Sequence, residues 1–209
     1  MHNEINTVIF GDAIDILDKF PEEFADCVIT DFLYKSGKQH LIWMNEICYR
    51  IKRILKPNSN FVFYPGTKEL PEKLNLIQQH FSYNWPIICY KPTFRHFGKT
   101  GFTKMDMIFW FSKGKGRVYK KSPDIIVDRK EKTNEYFGFK HYKGIEVTKK
   151  LIEIFTAPDH LVIDPFCGTG SILVACKMLK RKFIGIDKDF DMIELAKKRL
   201  NKIEEENEK

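Results

Sequence analysis

Two stretches of the chain hold residue types whose spacing suits chemistry. In "HLVIDPFCGTGSILVACKMLKRKFIGID", residues 160–187, an apolar run ends in Asp164 and a turn holding Gly168 and Gly170 opens a helix. A second apolar run then ends in Asp187, 19 residues after Gly168. Glycines let a ligand approach the backbone closely, and a carboxylate at the end of the next strand can hold a ribose diol. The third glycine of a dinucleotide fingerprint is missing, and no Gly-Lys-Ser/Thr follows to make a P-loop. In "VITDFLYKSG", residues 28–37, an apolar run feeds Thr30 and Asp31, and Tyr34 stands three residues on. An acid at the end of a buried strand with an aromatic ring beyond it supplies an acceptor and a stacking surface, half of an active site. The plainer alternative is that Asp31 only caps the turn that follows.

The elements that must position these residues alternate along the chain. "TVIFGD", "ADCVITD", "NFVFYPG", "NWPIICYKP", "MDMIFWFSKG", "HLVIDPF" and "KFIGID" read as strands. Between them, "AIDILDKF", "HLIWMNEICYRIKRILKP", "PEKLNLIQQHF", "GIEVTKKLIEIFT", "SILVACKML" and "DMIELAKKRLNKIEEE" carry apolar residues at helical spacing. The second of these helices is expected to run to Pro57. Strands separated by helices predict an α/β three-layer sandwich on a mostly parallel sheet. The 209 residues suffice for one domain with a full core, here 1–209. Residues 113–140 are polar, Lys-rich and weakly patterned, and are expected to form a loop or short insertion.

Charge is concentrated. Residues 91–150 hold 16 Lys/Arg against 6 Asp/Glu, while the rest of the chain is slightly acidic despite the net charge of +7. Aromatic residues interleave with these cations (Phe94, Phe97, Phe102, Trp110, Tyr119, Tyr136, Phe137, Tyr142). That pattern suits a polyanion surface with stacking groups, or a solvated Lys-rich face. Arg95, Lys113, Lys115, Arg117, Lys120, Lys121, Arg129 and Lys130 are the candidate phosphate contacts. No apolar run approaches the ~20 residues of a membrane span. No secretory signal is visible, and the five cysteines show no metal-ligand spacing. The expectation is a cytoplasmic protein without a metal site or membrane contact.

The string D-P-F-C-G-T-G-S resembles the S-adenosylmethionine loop of amino-methyltransferases. From residue 5 to about 200, the motif order resembles the permuted β-class DNA amino-methyltransferases, which modify adenine N6 or cytosine N4. In that family a strand with Gly-Asp comes first, then acid-Pro-Pro-aromatic, a basic region, an H-P-x-x-K-P segment, and the cofactor loop last. Gly11-Asp12, Asp31-Phe32-Leu33-Tyr34 and Lys143-Gly144 stand in those positions here, with Phe32, Leu33 and Gly144 replacing family prolines. The resemblance implies a Rossmann-like methyltransferase fold of circularly permuted motif order, with S-adenosylmethionine as cofactor. It assigns cofactor contact to Asp12, Asp31, Lys143, Asp164, Pro165, Phe166, Gly168, Gly170 and Asp187, with Asp12 near the adenine. It further implies that residues 113–140 contribute to target recognition and that Met105 and Asp106 lie near the base pocket.

Implied catalysis rests on Asp31, Phe32 and Tyr34. An exocyclic amino group is a poor nucleophile because its lone pair is delocalised into the ring. Acceptors on its two N–H groups favour the tetrahedral geometry needed for attack on a sulfonium methyl. In the family the acid takes one N–H and the carbonyl of the next residue takes the other, while the aromatic ring stacks on the base. The substrate implied is double-stranded DNA whose target base leaves the duplex, with a homodimer as a possible assembly and restriction-modification as the setting. Asp rather than Ser at the first motif position points to adenine. Three other readings stay open: N4-cytosine, an RNA base or protein amide, and a nucleic-acid-binding relative that has lost the chemistry. A proline at a compatible site contributes ~0.4–1 kcal/mol. Restoring both prolines at 32 and 33 is therefore expected to change turnover by no more than about 30-fold, upward.

Overall fold

The apolar runs become strands and the amphipathic stretches become helices. The structure, a computed structural model, describes residues 5–32, 36–92, 96–98, 101–128 and 143–207. In chain order the elements are β1 (Thr7–Phe10), α1 (Ala13–Leu17), β2 (Ala25–Asp31), α2 (Lys38–Ile54), β3 (Leu55–Tyr64), α3 (Leu70–Gln78), β4 (Ser82–Tyr90), β5 (His96–Gly98), β6 (Gly101–Thr103), β7 (Met105–Lys113), β8 (Ile125–Val127), α4 (Ile145–Phe155), β9 (Leu161–Asp164), α5 (Ser171–Met178), β10 (Lys182–Asp187) and α6 (Phe190–Asn207). Eight strands form one sheet in the order β1-β10-β9-β2-β3-β7-β4-β8, and β5 and β6 form a separate hairpin. Only β7 runs against the others in the large sheet.

Alternation along the strands sends side chains to two cores. Val28, Phe61, Phe63, Ile163 and Ile184 pack with α1, α2 and α3 on one face. Cys27, Ile29, Val62, Val162 and Phe183 pack with α4, α5 and α6 on the other. The α4 face expected from its spacing (Ile145, Thr148, Leu151, Ile152, Phe155) is buried throughout. This is the three-layer sandwich. All five cysteines are buried and unbridged.

Two boundaries differ from the sequence expectation. Helix α2 stops at Ile54, not Pro57, because Leu55 is already extended (φ −72°, ψ 136°) and pairs with Ala25 in the sheet. Proline disfavours helix in the residue before it, so Lys56 cannot continue α2. Within the expected 113–140 loop, Ile125–Val127 joins the large sheet as β8, parallel to β4. Three residues are too few for periodicity to show. Residues 129–140 of that segment lie outside the described residues.

Strand direction fixes what each end of the sheet can hold. Strands β1, β2, β3, β9 and β10 all bring their carboxyl ends to one edge, where Asp31, Tyr64, Asp164 and Asp187 stand. β7 enters at that edge with Asp106 and leaves at the opposite one with Lys113, paired with Ser59 at the amino end of β3.

Phe32, one residue beyond β2, is 1% exposed and belongs to the core. Its ring meets Phe61 at 6.0 Å, Phe63 at 5.4 Å and Phe166 at 5.7 Å between centroids. Its N–H donates to the Tyr64 carbonyl at 3.2 Å. The side chain in the family's proline position therefore braces the cofactor-side loop from below. A proline there removes the hydrogen bond and the ring together. The burial of Phe32 adds a cost in stability to the change in turnover expected from restoring prolines. Phe32→Pro should destabilise the protein by about 3–5 kcal/mol, as for large core truncations, against a gain of at most about 1 kcal/mol from fixing φ. Urea unfolding checks this, and a midpoint equal to the parent's would refute the bracing role.

Candidate active site

The turn after β9 is held from three sides. Asp187 Oδ2 accepts from the Gly168 N–H at 2.8 Å, and its Oδ1 accepts from the Asp189 N–H at 3.0 Å. Gly170, the N-cap of α5, has φ +78°, and a Cβ there would lie 2.9 Å from that of Ala196. Only glycine takes that conformation and lets α6 approach so closely. From α6, the buried Arg199 donates through Nη1 to the Thr169 carbonyl at 2.6 Å and to the Ser171 hydroxyl at 3.3 Å.

Beneath the turn lies Asp164, 2% exposed. Its Oδ1 accepts from the Thr30 hydroxyl at 2.7 Å and from the Phe166 N–H at 3.1 Å. Burial pushes its carboxyl up to about 7 against the pull of both hydrogen bonds, and the nearby Asp187 and Asp31 charges add to the rise. Asp164 thus ties β9 to β2 and shapes the loop; it does not line the cavity above.

That cavity, of about 460 Å³, is bounded by Gly11, Asp12, Trp43, Phe166, Asp187 and Lys188 among others. The volume falls in the range of small-ligand sites. Trp43 contacts Phe166 at 5.3 Å and stacks on His40 at 5.3 Å. Asp12 caps α1 by accepting from the Ile14 N–H at 2.9 Å. Aromatic walls, an acid at the end of β10 and a Gly turn fit the adenosine and methionine parts of S-adenosylmethionine. Of the cofactor residues named from the sequence, Asp12, Pro165, Phe166 and Asp187 line this cavity, with Gly168 and Gly170 in the turn beside it. A second cavity, of about 430 Å³, opens at the amino end of β10 among Lys177, Lys180, Arg181, Lys182 and Lys197. There Lys177 pairs with Glu204, and Arg181 bonds the Thr156 and Leu179 carbonyls. It has neither a Gly turn nor a strand-end acid.

The acceptor half of the site lies on the same edge. Lys143 Nζ is 3.1 Å from Asp31 Oδ2 and 3.6 Å from Asp106 Oδ2, and it sits over the Tyr64 ring at 4.3 Å. Lys91 Nζ reaches Asp106 Oδ2 at 2.6 Å. Burial pushes the Asp106 carboxyl upward, but Lys143 and Lys91 outweigh it and hold it below the ordinary range. Lys143 and Asp31 are therefore brought together as a pair, and Asp106 joins them. Gly144 stands in a family proline's place against Asp128: a Cβ there would lie 2.6 Å from Asp128 Oδ1, so a larger residue requires that carboxylate to move.

Tyr34, Arg95, Arg129 and Lys130 lie outside the described residues. The other basic candidates are not brought to this edge, because β7 carries the chain to the opposite one. Lys113 Nζ donates to the Leu55 carbonyl at 2.7 Å. The Lys115 and Arg117 N–H groups donate to the Asn58 and Asn60 side chains. Lys120 pairs with Glu153 at 2.9 Å, and Lys121 is exposed beside it. Sequence reasoning missed Thr30, Trp43, Lys91 and Arg199. Thr30 directly precedes the catalytic candidate inside an apolar strand, which was a usable signal; the others are set by contacts distant in sequence.

A mostly parallel sheet with a Gly turn after one strand and an acid after the next is an arrangement that S-adenosylmethionine-dependent methyltransferases share with other nucleotide-binding folds. The family model for N6/N4 DNA methylases matches residues 26–198, and the chain belongs to that family. Its cofactor is S-adenosylmethionine. The chain is 26% identical to the Type II methyltransferase M.HpaI of Haemophilus parainfluenzae, over 93% of this chain and 74% of that one. It is 23% identical to the DNA adenine methyltransferase YhdJ of Escherichia coli K12, over 95% and 84%. Among solved structures, the M1.HpyAVI–SAM complex matches with a TM-score of 0.79 and 25% identity, covering 93% of this chain and 98% of that one. The cytosine-N4-specific PvuII DNA methyltransferase shares the fold at TM-score 0.77 and 19% identity, over 92% and 85%. No described helix is long and apolar enough to cross a membrane.

Two expected outcomes test the site. Asp164 folded titrates near 7, above the ~3.9 of an unfolded Asp. The folded chain therefore keeps a proton that the unfolded chain sheds, and this contribution to stability declines as pH rises from about 4 to 7. Asp164→Asn keeps both hydrogen-bond donors satisfied and should remove roughly 2–4 kcal/mol of that decline. Melting of both proteins at pH 5 and pH 8 measures it; parallel pH slopes would contradict the assignment. Separately, Asp187→Ala should weaken S-adenosylmethionine binding by on the order of 1–3 kcal/mol in calorimetry, with Asp187→Asn intermediate because it retains one acceptor. Affinity equal to the parent's in both variants would remove Asp187 from the site.

Proposed function

We propose that the protein transfers the methyl group of S-adenosylmethionine to the N6 amino group of adenine in DNA, acting on a base turned out of the duplex. One observation carries the reading: Asp31, the acceptor, and Asp187, the nucleoside-holding acid, end strands on one edge with only β9 between them. Bound there, the cofactor supplies an electrophilic methyl on a cationic sulfur. Asp31 accepts one N–H of the amino group and the Phe32 carbonyl accepts the other, so that the nitrogen lone pair is directed at the methyl carbon. Tyr34 stacks on the base. As the N–C bond forms, the C–S bond breaks and its electron pair stays on sulfur; the nitrogen sheds one proton on the Asp31 side.

Asp rather than Ser at position 31 supports adenine over cytosine, as does the resemblance to a named adenine methyltransferase. The likeness to a cytosine-N4-specific enzyme keeps cytosine as the second reading. DNA approaches the carboxyl edge. Tyr90 and Val127 stand at that edge as the last residues of β4 and β8, and Arg95, Arg129 and Lys130 follow them within five residues in sequence. Phosphate contact is proposed for these three from the sequence alone, and Lys113, Lys115 and Arg117 lie toward the opposite edge.

The test is transfer of labelled methyl from S-adenosylmethionine to duplex DNA, RNA and protein, followed by nucleoside analysis. N6-methyladenine is expected, and N4-methylcytosine would replace the adenine reading. Asp31→Ala should lower the rate by two to three orders of magnitude, by analogy with the ~2.7–4 kcal/mol of one oxyanion donor. A parent protein that binds cofactor and DNA yet transfers nothing would leave a binding protein in its place.

A further inference from the structure

The Asp31 end of the site contains a chain of charge that the reaction scheme does not use. Asp31, Lys143, Asp106 and Lys91 come from β2, the segment before α4, β7 and the end of β4. Two ammonium groups meet at a single oxygen: Asp106 Oδ2 lies 2.6 Å from Lys91 Nζ and 3.6 Å from Lys143 Nζ. Lys143 in turn lies 3.1 Å from Asp31 Oδ2. Lys143 is thus shared between two carboxylates, and Lys91 competes with it for one of them. The members are held by backbone as well. Asp106 pairs with Cys89 across β4 and β7, the Lys91 N–H donates to the Lys104 carbonyl at 2.7 Å, and Lys143 rests on the Tyr64 ring. Side-chain exposure is 14% for Lys91, 11% for Lys143 and 18% for Asp31 but 31% for Asp106, so water screens the Lys143–Asp31 pair least.

We propose that Asp106 is a positioning residue: together with Lys91 it sets how far Lys143 leans on Asp31, and so how much of the Asp31 carboxylate is available to the target amino group. This rests on reading Asp31 as the amino acceptor. If Lys143 leaned wholly on Asp31, the ammonium would occupy the carboxylate and weaken it toward a neutral N–H donor. If Lys143 leaned wholly on Asp106, Asp31 would face the Asp164 side with less of the lysine's field. Lys91 is the counterweight that holds the balance between these extremes.

The two outer residues must therefore act in opposite directions. Asp106→Asn leaves Lys143 to Asp31 and should move the Asp31 titration to lower pH. Lys91→Met frees Asp106 Oδ2 to draw Lys143 away and should move it to higher pH. Each shift is expected to be about half a pH unit or more. Other groups face Asp31 from every neighbouring element: Tyr64 on β3, Asp164 on β9 with Asp187 behind it on β10, and Asp128 after β8 within the field of Lys143 and Asp106. None of these is altered by either substitution.

The experiment is carbon-13 carboxyl NMR of the full chain, with the Asp31 signal assigned by its loss in Asp31→Asn, titrated in the parent, Asp106→Asn, Asp106→Glu and Lys91→Met. Opposite shifts, with Asp106→Glu closer to the parent, are expected. A Lys143→Met background should shrink the Asp106→Asn shift to a third or less. Shifts of one sign, no shift, or an Asp106→Asn effect undiminished without Lys143 would each overturn the proposal. The same variants are then assayed for methyl transfer, where the acid limb of the kcat profile should move with the NMR midpoint. Titration needs no turnover, so a parent that moves no methyl refutes the proposed function without obscuring the titration result.

Discussion

Three carboxylates end three adjacent strands. Asp187, Asp164 and Asp31 stand side by side on β10, β9 and β2, and an uncompensated row of like charges at a partly buried edge would oppose folding. Each is relieved differently. Asp187 takes two backbone N–H groups, one of them from the Gly turn, so its compensation also builds the cofactor loop. Asp164 takes Thr30 and a loop N–H, and burial raises its proton affinity so that it loses its charge as pH falls below about 7. Asp31 takes a lysine. The cationic partner thus falls to the carboxylate assigned to chemistry, and the middle one, whose charge burial disfavours, serves as a strut between its neighbours.

Aromatic packing turns that edge into a rigid ledge. Rings run from Phe111 and Phe63 through Phe32 to Phe166 and Trp43, linking the deep core to the cavity wall without interruption. In this chain the departure from acid-Pro-Pro-aromatic replaces backbone stiffness at position 32 with side-chain burial. The departure at Gly144 follows similar logic, since the Asp128 carboxylate occupies the space a larger residue would need. Both look like losses when motifs are compared letter by letter, and both are accounted for by a neighbour far away in sequence.

The parts legible in the sequence were those encoded locally. Strand-end acids, the Gly turn and the helical periodicity of α4 each depend on a few consecutive residues, and each was positioned as expected. The polarity of β7 was not legible, because nothing in "MDMIFWFSKG" states its direction. That one strand brings Asp106 to the edge where Asp31 stands and carries the chain to Lys113 at the opposite edge. Likewise β8 is too short to announce itself, and Arg199 lies in a helix rich in charged residues, where a buried arginine has no distinguishing neighbours. Long-range pairing and packing, not composition, decide these positions.

The permuted order of the sheet has a consequence for how the molecule comes into being. Within the large sheet, β1 pairs only with β10 among the described strands, residue 7 with residue 184 and residue 10 with residue 187. Synthesis from the amino end therefore leaves β1 and the Asp12 turn without this pairing until residues 184–187 have been made. β2, β3, β7 and β4 form neighbouring pairs and can assemble earlier. Contacts so distant in sequence form late and slowly. The strands that carry Asp31 and Asp106 can thus find their partners before the strand that carries Asp187 exists, and a nascent chain can hold the first pairings without the last.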